Sequence, residues 1–173
     1  MNISTGDGLK IQFGGELKRS PRRTISALPK VSYSLGYQVQ DEKGFDFSAS
    51  VTPQPRPDLQ GGSLAWEFEI PQSIREVIVS DGNQEQKISV SRDKSKVLWK
   101  EDASRLKECG SIIFLDNAQQ EILKMGSLQF DKLRSLSLET TAKGVPVFRF
   151  IFFESEKCDK PETRAFRCRW DVK

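Results

Sequence analysis

Histidine is absent from this chain of 173 residues. That absence removes the Ser-His-Asp and Cys-His nucleophilic arrangements. It also removes the side chain that ordinarily moves protons near neutral pH, and the HExxH and facial-triad metal sites. Cysteine is scarce. Cys109, Cys158 and Cys168 are odd in number and widely spaced, which is not a disulfide framework. Either Cys158 and Cys168 pair around the turn at Lys160-Pro161, or all three thiols stay reduced. Without a CxxC pair or histidine, a structural zinc ion lacks its usual ligands. No stretch approaches the roughly 18 apolar residues that cross a bilayer, and no apolar leader follows Met1. The expectation is a soluble protein, cytoplasmic or otherwise intracellular, with no membrane insertion and no cofactor.

Phosphate loops are missing as well. Gly14-Gly15 and Gly61-Gly62 fit neither GxxxxGK[ST] nor GxGxxG, and they read as turns between strand-like runs. No internal repeat or βαβ rhythm is present, which disfavours a Rossmann-type fold.

What is present is alternation. Val31, Tyr33, Leu35, Tyr37 and Val39 alternate with small or polar residues, as in a strand with one dry face. Phe45, Phe47, Ala49 and Val51 repeat the pattern after the turn-like Asp41-Glu42-Lys43-Gly44, so the two runs predict an antiparallel hairpin. Prolines and a Gly-Gly make residues 53–62 a surface loop. Leu64, Trp66, Phe68 and Ile70 form the next strand, stopped by Pro71. Glu76 to Ser80 and Lys87 to Ser91 read as a second hairpin around Asp81-Gly82-Asn83. Lys96 to Lys100 is a further short strand.

Ser111 to Leu115 is an apolar run. The residues after Asp116, up to Gly126, fit either a capped helix or a hairpin turn. Ala103 to Glu108 suggests one helical turn. Val145 to Phe153 is apolar on both faces, as in a central strand, and Phe166, Cys168, Trp170 and Val172 alternate in a strand expected to pair with it. Strands recurring about every ten residues predict a single mostly β domain. The expected architecture is an antiparallel β-sandwich or open barrel with at most one or two short helices.

Two clusters offer chemistry. Residues 14–30 form a basic segment in which Lys18, Arg19, Arg22, Arg23 and Lys30 have no acidic neighbour beyond Leu17. Such an arm neutralises phosphates, so nucleic acid is one possible partner, bound in a salt-dependent way. The net charge of +3 does not impose that partner by itself. The second cluster is Asp58, in a loop after Pro57, with Glu67 and Glu69 on one face of the following strand. Oxygen ligands so placed suit Mg²⁺. In outline they resemble the PD…ExK pattern of restriction-type nucleases, with Glu69 where the lysine stands. The resemblance implies a metal-dependent hydrolase reading. The plainer reading makes Glu67 and Glu69 the solvent face opposite Trp66 and Phe68.

With most catalytic inventories excluded and many strand edges expected, the leading expectation is a non-enzymatic binding or assembly module. Its partner would be another protein or a second copy, as in viral or phage structural proteins.

Overall fold

The computed structural model describes residues 2–4, 10–17, 31–41, 44–53, 63–106, 110–154 and 160–173. Among them lie thirteen strands and no helix. In chain order these are β1 (Asn2–Ser4), β2 (Lys10–Leu17), β3 (Val31–Asp41), β4 (Gly44–Pro53), β5 (Ser63–Glu69), β6 (Glu76–Ser80) and β7 (Glu85–Ser89). There follow β8 (Val97–Asp102), β9 (Ser111–Leu115), β10 (Glu121–Asp131), β11 (Ser135–Thr140), β12 (Pro146–Glu154) and β13 (Arg164–Val172). They form a nine-stranded sheet, β1-β2-β3-β4-β13-β10-β9-β6-β7, and a four-stranded sheet, β5-β12-β11-β8. Neighbouring strands are antiparallel, and the sheets stack as an unclosed sandwich, the first of the two expected architectures.

The alternation read from the sequence sorts side chains between core and solvent. On β4, Phe47, Ala49 and Val51 are buried. On β13 it is Phe166, Cys168 and Trp170, and from the opposite sheet Phe148, Phe150 and Phe152 of β12. The sheets meet through aromatic rings. Phe150 stacks on Phe166 with centroids 3.9 Å apart and planes 9° apart. Trp66 contacts Phe47, Phe150 and Phe166. Ring pairs of this kind contribute about 0.5–1.5 kcal/mol beyond the area they bury. Trp66, Trp99 and Trp170 are thus packed into the sandwich. Trp66 is half-buried, and the other two are buried. Tyr33 and Tyr37 pack against the same core, partly buried.

β12 is apolar on both faces because it is central, between β5 and β11. Its outward Val147 lies in register with Glu69 and Glu139, and its outward Ile151 with Ala65 and Ser135. The expected pairing of β12 with β13 does not occur. β13 runs between β4 and β10 in the other sheet, so the two phenylalanine-bearing strands face each other across the core. Rings large enough to span the gap between sheets bury more area face to face than they would side by side.

Residues 116–126 form a hairpin rather than a helix. Asp116 accepts the amides of Ala118 and Gln120 at 2.8 and 2.9 Å, Gln119 takes a left-handed φ of 60°, and β10 returns alongside β9. Met125 is thereby placed in the core beside Ile112. The helical turn expected at 103–108 is a hydrogen-bonded turn, Leu106 N–H to Ala103 C=O, over its described part. Gly14 and Gly15 are not in a turn. They lie inside β2 in register with Ser34 and Tyr33.

Candidate functional site

The sandwich is open where the two sheets end. β7 closes the order of one sheet and β8 that of the other. Hydrogen-bond alternation fixes which backbone groups look out of each edge, since an antiparallel strand turns every second residue away from its neighbour. On β7, Asp81 N–H to Gln84 C=O and Val90 N–H to Arg75 C=O bind residues 84, 86, 88 and 90 to β6. Glu85 and Lys87 therefore turn their amides and carbonyls outward. On β8, Ala103 N–H to Arg134 C=O commits Trp99, Glu101 and Ala103 to β11, which turns Lys100 and Asp102 outward. The Asp102 amide is taken by the Glu101 carboxylate at 3.1 Å.

Between these edges lies a cleft of about 520 Å³. Val79, Leu106 and Trp99 floor it, and Asp81, Glu85, Gln86, Lys87, Glu101 and Arg105 line it. Alternation explains the mixture. Gln86 and Glu101 stand on core-facing positions, since Gln86 is in register with Val79 and Glu101 with Leu136. Trp99 donates its indole N–H to Gln86 Oε1 at 3.0 Å, which ties the two sheets together at the floor. Glu101 also meets Arg105 at 3.3 Å. Lys87 leans away toward Glu76, 3.8 Å distant. Asp81 is occupied by the hairpin turn. The amides of Gln84 and Asn83 hold its carboxyl below the usual carboxylate range. The Ser104 amide does the same for Asp102. Glu85 is exposed and meets no cation among the described residues. Of the acids that line the cleft, Glu101 stands on the core side, whereas Glu85, next to the core-facing Gln86, belongs with Lys87 to the outer face of the large sheet.

The outer face of the large sheet carries a shallower polar trough of about 380 Å³ beside Arg167, lined by Ser34, Ser48, Ser50, Gln129 and Asp131 among others. Arg167 is paired with Asp46 at 2.9 Å.

The residues singled out by sequence lie elsewhere. Lys18, Arg19, Arg22, Arg23, Lys30 and Asp58 fall outside the described residues, as do Cys109 and Cys158. Glu67 and Glu69 stand on the outer face of β5, as the plainer reading expected. Glu67 meets Arg149 at 2.8 Å, and Arg149 reaches Glu139 on its other side at 3.0 Å. Ser137 donates to the second Glu139 oxygen at 2.7 Å. No cluster of three metal-ligating side chains occurs among the described residues. Cys168 is a free thiol in the core, and burial pushes its pKa up to about 12, so it stays protonated at neutral pH. No described helix is long and apolar enough to cross a membrane.

The cleft residues Glu85, Gln86, Glu101 and Arg105 were not picked out from the sequence. The signal for β7 was its composition: Glu85-Gln86-Lys87-Ile88-Ser89 carries one buried apolar residue, where its partner β6 carries two. A strand so polar is one that ends a sheet.

No family model matches the chain, and no curated protein matches it. Among solved structures, the crystal structure of the Slr1438 protein from Synechocystis sp. PCC 6803 aligns over 100% of this chain with 9% identity and a TM-score of 0.49. The chain spans 65% of the length of that protein.

Proposed function

We propose that this chain is a non-enzymatic binding or assembly module, and that it engages a protein partner at the seam between β7 and β8. One observation supports the reading: among the described residues, the edge strands β7 and β8 of the two sheets flank the same cleft. Exposed strand edges are templates for pairing with another chain, and natural sandwiches use them for recognition. The cleft offers an apolar floor for affinity and separate charges for selection, as binding sites do.

The test is selection from a random peptide library on immobilised protein, with light scattering of the free protein at low and high salt. The reading expects consensus peptides that compete for one site, or a defined oligomer. A clean monomer that enriches no consensus beyond that found on an unrelated sandwich protein contradicts it.

A further inference from the structure

We propose that the protein carries a second site, independent of the seam, in which the outer face of the large sheet binds an uncharged polyhydroxylated ligand, a short carbohydrate chain.

Where β3, β4, β13 and β10 run side by side, their outward positions form rows across the sheet. Gly36, Ser48, Arg167 and Gln129 lie in one register row. Ser34, Ser50, Ala165 and Asp131 lie in the next, two residues along each strand. Small residues thus make a floor, and Arg167, Gln129 and Asp131 rise beside it. A Cβ at Gly36 would lie 2.7 Å from Ser48 Oγ, so glycine lets the Ser48 hydroxyl lie low in that floor. On β10 a bulge between Gly126 and Gln129 puts Ser127 at a φ of 50° and keeps Leu128 in the core. The outer side is left open beside Gly126, where a Cβ would meet nothing within 4 Å. Three hollows of about 380, 170 and 290 Å³ open along these rows, and Arg167 borders all of them.

The polar groups here are not spent inside the protein. Among the described residues, the side chains of Ser34, Ser48, Ser50, Gln129 and Asp131 make no hydrogen bond or ion pair. Arg167 is bonded through Nη2 alone, to Asp46 at 2.9 Å.

This inventory selects the ligand. The charged side chains bordering the hollows are Arg167, Arg169, Asp46 and Asp131, equal in number for each sign. An anion drawn to the arginines meets both aspartates, so no net charge holds an ion there. A peptide strand finds no free edge, because β4 and β13 have a hydrogen-bonded neighbour on each side. An apolar ligand would bury the serine hydroxyls and the Gln129 amide without partners, at about 1–3 kcal/mol for each group. A hydroxyl fits. It donates to Asp131, accepts from Arg167, and meets serine or glutamine in either sense. Sugar rings carry hydroxyls in adjacent pairs, which the planar guanidinium, carboxylate and amide groups can span with two hydrogen bonds. The four strands extend the trough over about 14 Å, three strand spacings, which suits a short chain rather than one ring.

The probe is an array of neutral and acidic oligosaccharides on inert linkers, whose multivalent display retains weak ligands. The protein is expected to bind a subset of the neutral glycans. Calorimetry with the best-bound one, as a free oligosaccharide, then compares two variants with the parent. Ser48→Val with Ser50→Val removes two floor hydroxyls, and valine suits a strand. Arg167→Ala removes the shared guanidinium from an exposed position. Each is expected to weaken binding at least about 10-fold while keeping the parent's circular dichroism spectrum. Should one fail to fold, the other decides.

Unchanged affinity in a folded variant overturns the placement of the site. Binding confined to acidic glycans overturns the charge argument and the proposal with it. An array on which no glycan is bound overturns the proposal outright. In each case the reading of the seam stands, since none of these substitutions touches it.

Discussion

Replacing Phe150 with alanine is expected to destabilise the protein by about 3–5 kcal/mol, the range for truncating a fully buried aromatic side chain. For a domain of this size that corresponds to a fall in Tm of roughly 6–20 °C. Phe150 has no exposed surface. Its ring lies flat on Phe166 of the opposite sheet and touches Trp66 and Phe148. Removing it leaves a void between two sheets that cannot close, because each is held at its spacing by other rings, Phe68 on Phe114 and Trp66 on Phe47. Urea unfolding of the variant measures the loss. A cost below about 1 kcal/mol would mean that the sheets are not joined through this ring stack.

The second large effect is expected at Thr140. Its hydroxyl accepts the Lys96 amide at 2.8 Å and donates to the Asp93 carbonyl. These bonds pin residues 93–96, the stretch by which the chain leaves β7 in one sheet and enters β8 in the other. Thr140 is buried, so Thr140→Val leaves the Lys96 amide and the Asp93 carbonyl without their partner in a site of low water access. Such a loss costs about 1–3 kcal/mol. The isosteric valine keeps the packing, which isolates the polar contribution. Guanidinium unfolding is expected to show the decrease with an unchanged m-value, and the Lys96 amide should exchange faster with solvent. Unchanged stability would show that the crossover is held by its backbone bonds alone, such as Thr140 N–H to Lys96 C=O and Ser95 N–H to Thr141 C=O.

The sandwich was legible in the sequence wherever one face of a strand is dry. Val31 to Val39, Phe45 to Val51 and Leu64 to Ile70 alternate cleanly and form β3, β4 and β5 with its flanking residue, with the expected inner face except at Val39, which is exposed. Reading failed where alternation was masked. β11, Ser135–Thr140, went unread: Leu136 and Leu138 alternate with Ser135, Ser137 and Glu139, yet two of those three outward residues are themselves buried. Sheet membership was not legible at all for β12 and β13. Period-2 patterning shows that a strand has an inner face, but it does not say from which sheet that face looks inward. The 116–126 segment was ambiguous because Asp116 caps a turn and a helix with the same amide-accepting carboxylate.

The seam was hidden for a further reason. Gln86 and Glu101 occupy core-facing positions, where polar residues read as breaks in a pattern rather than as a site. Gln86 is satisfied there by the Trp99 indole, and Glu101 by the Asp102 amide and Arg105. Glu67 and Glu69, by contrast, read as a constellation because they are close in sequence. In three dimensions Glu67 is engaged with Arg149 on a solvated face.

The most direct measurement is amide hydrogen exchange, residue by residue, on the protein alone and with a selected peptide bound. In the free protein the Lys100 amide should exchange quickly while its neighbours Trp99 and Glu101, bonded to β11, exchange slowly. With peptide bound, the outward amides of one of the two edges, Lys100 on β8 or Glu85 and Lys87 on β7, should gain strong protection. If none of these amides gains protection in the complex, the seam between β7 and β8 is not where a partner strand docks.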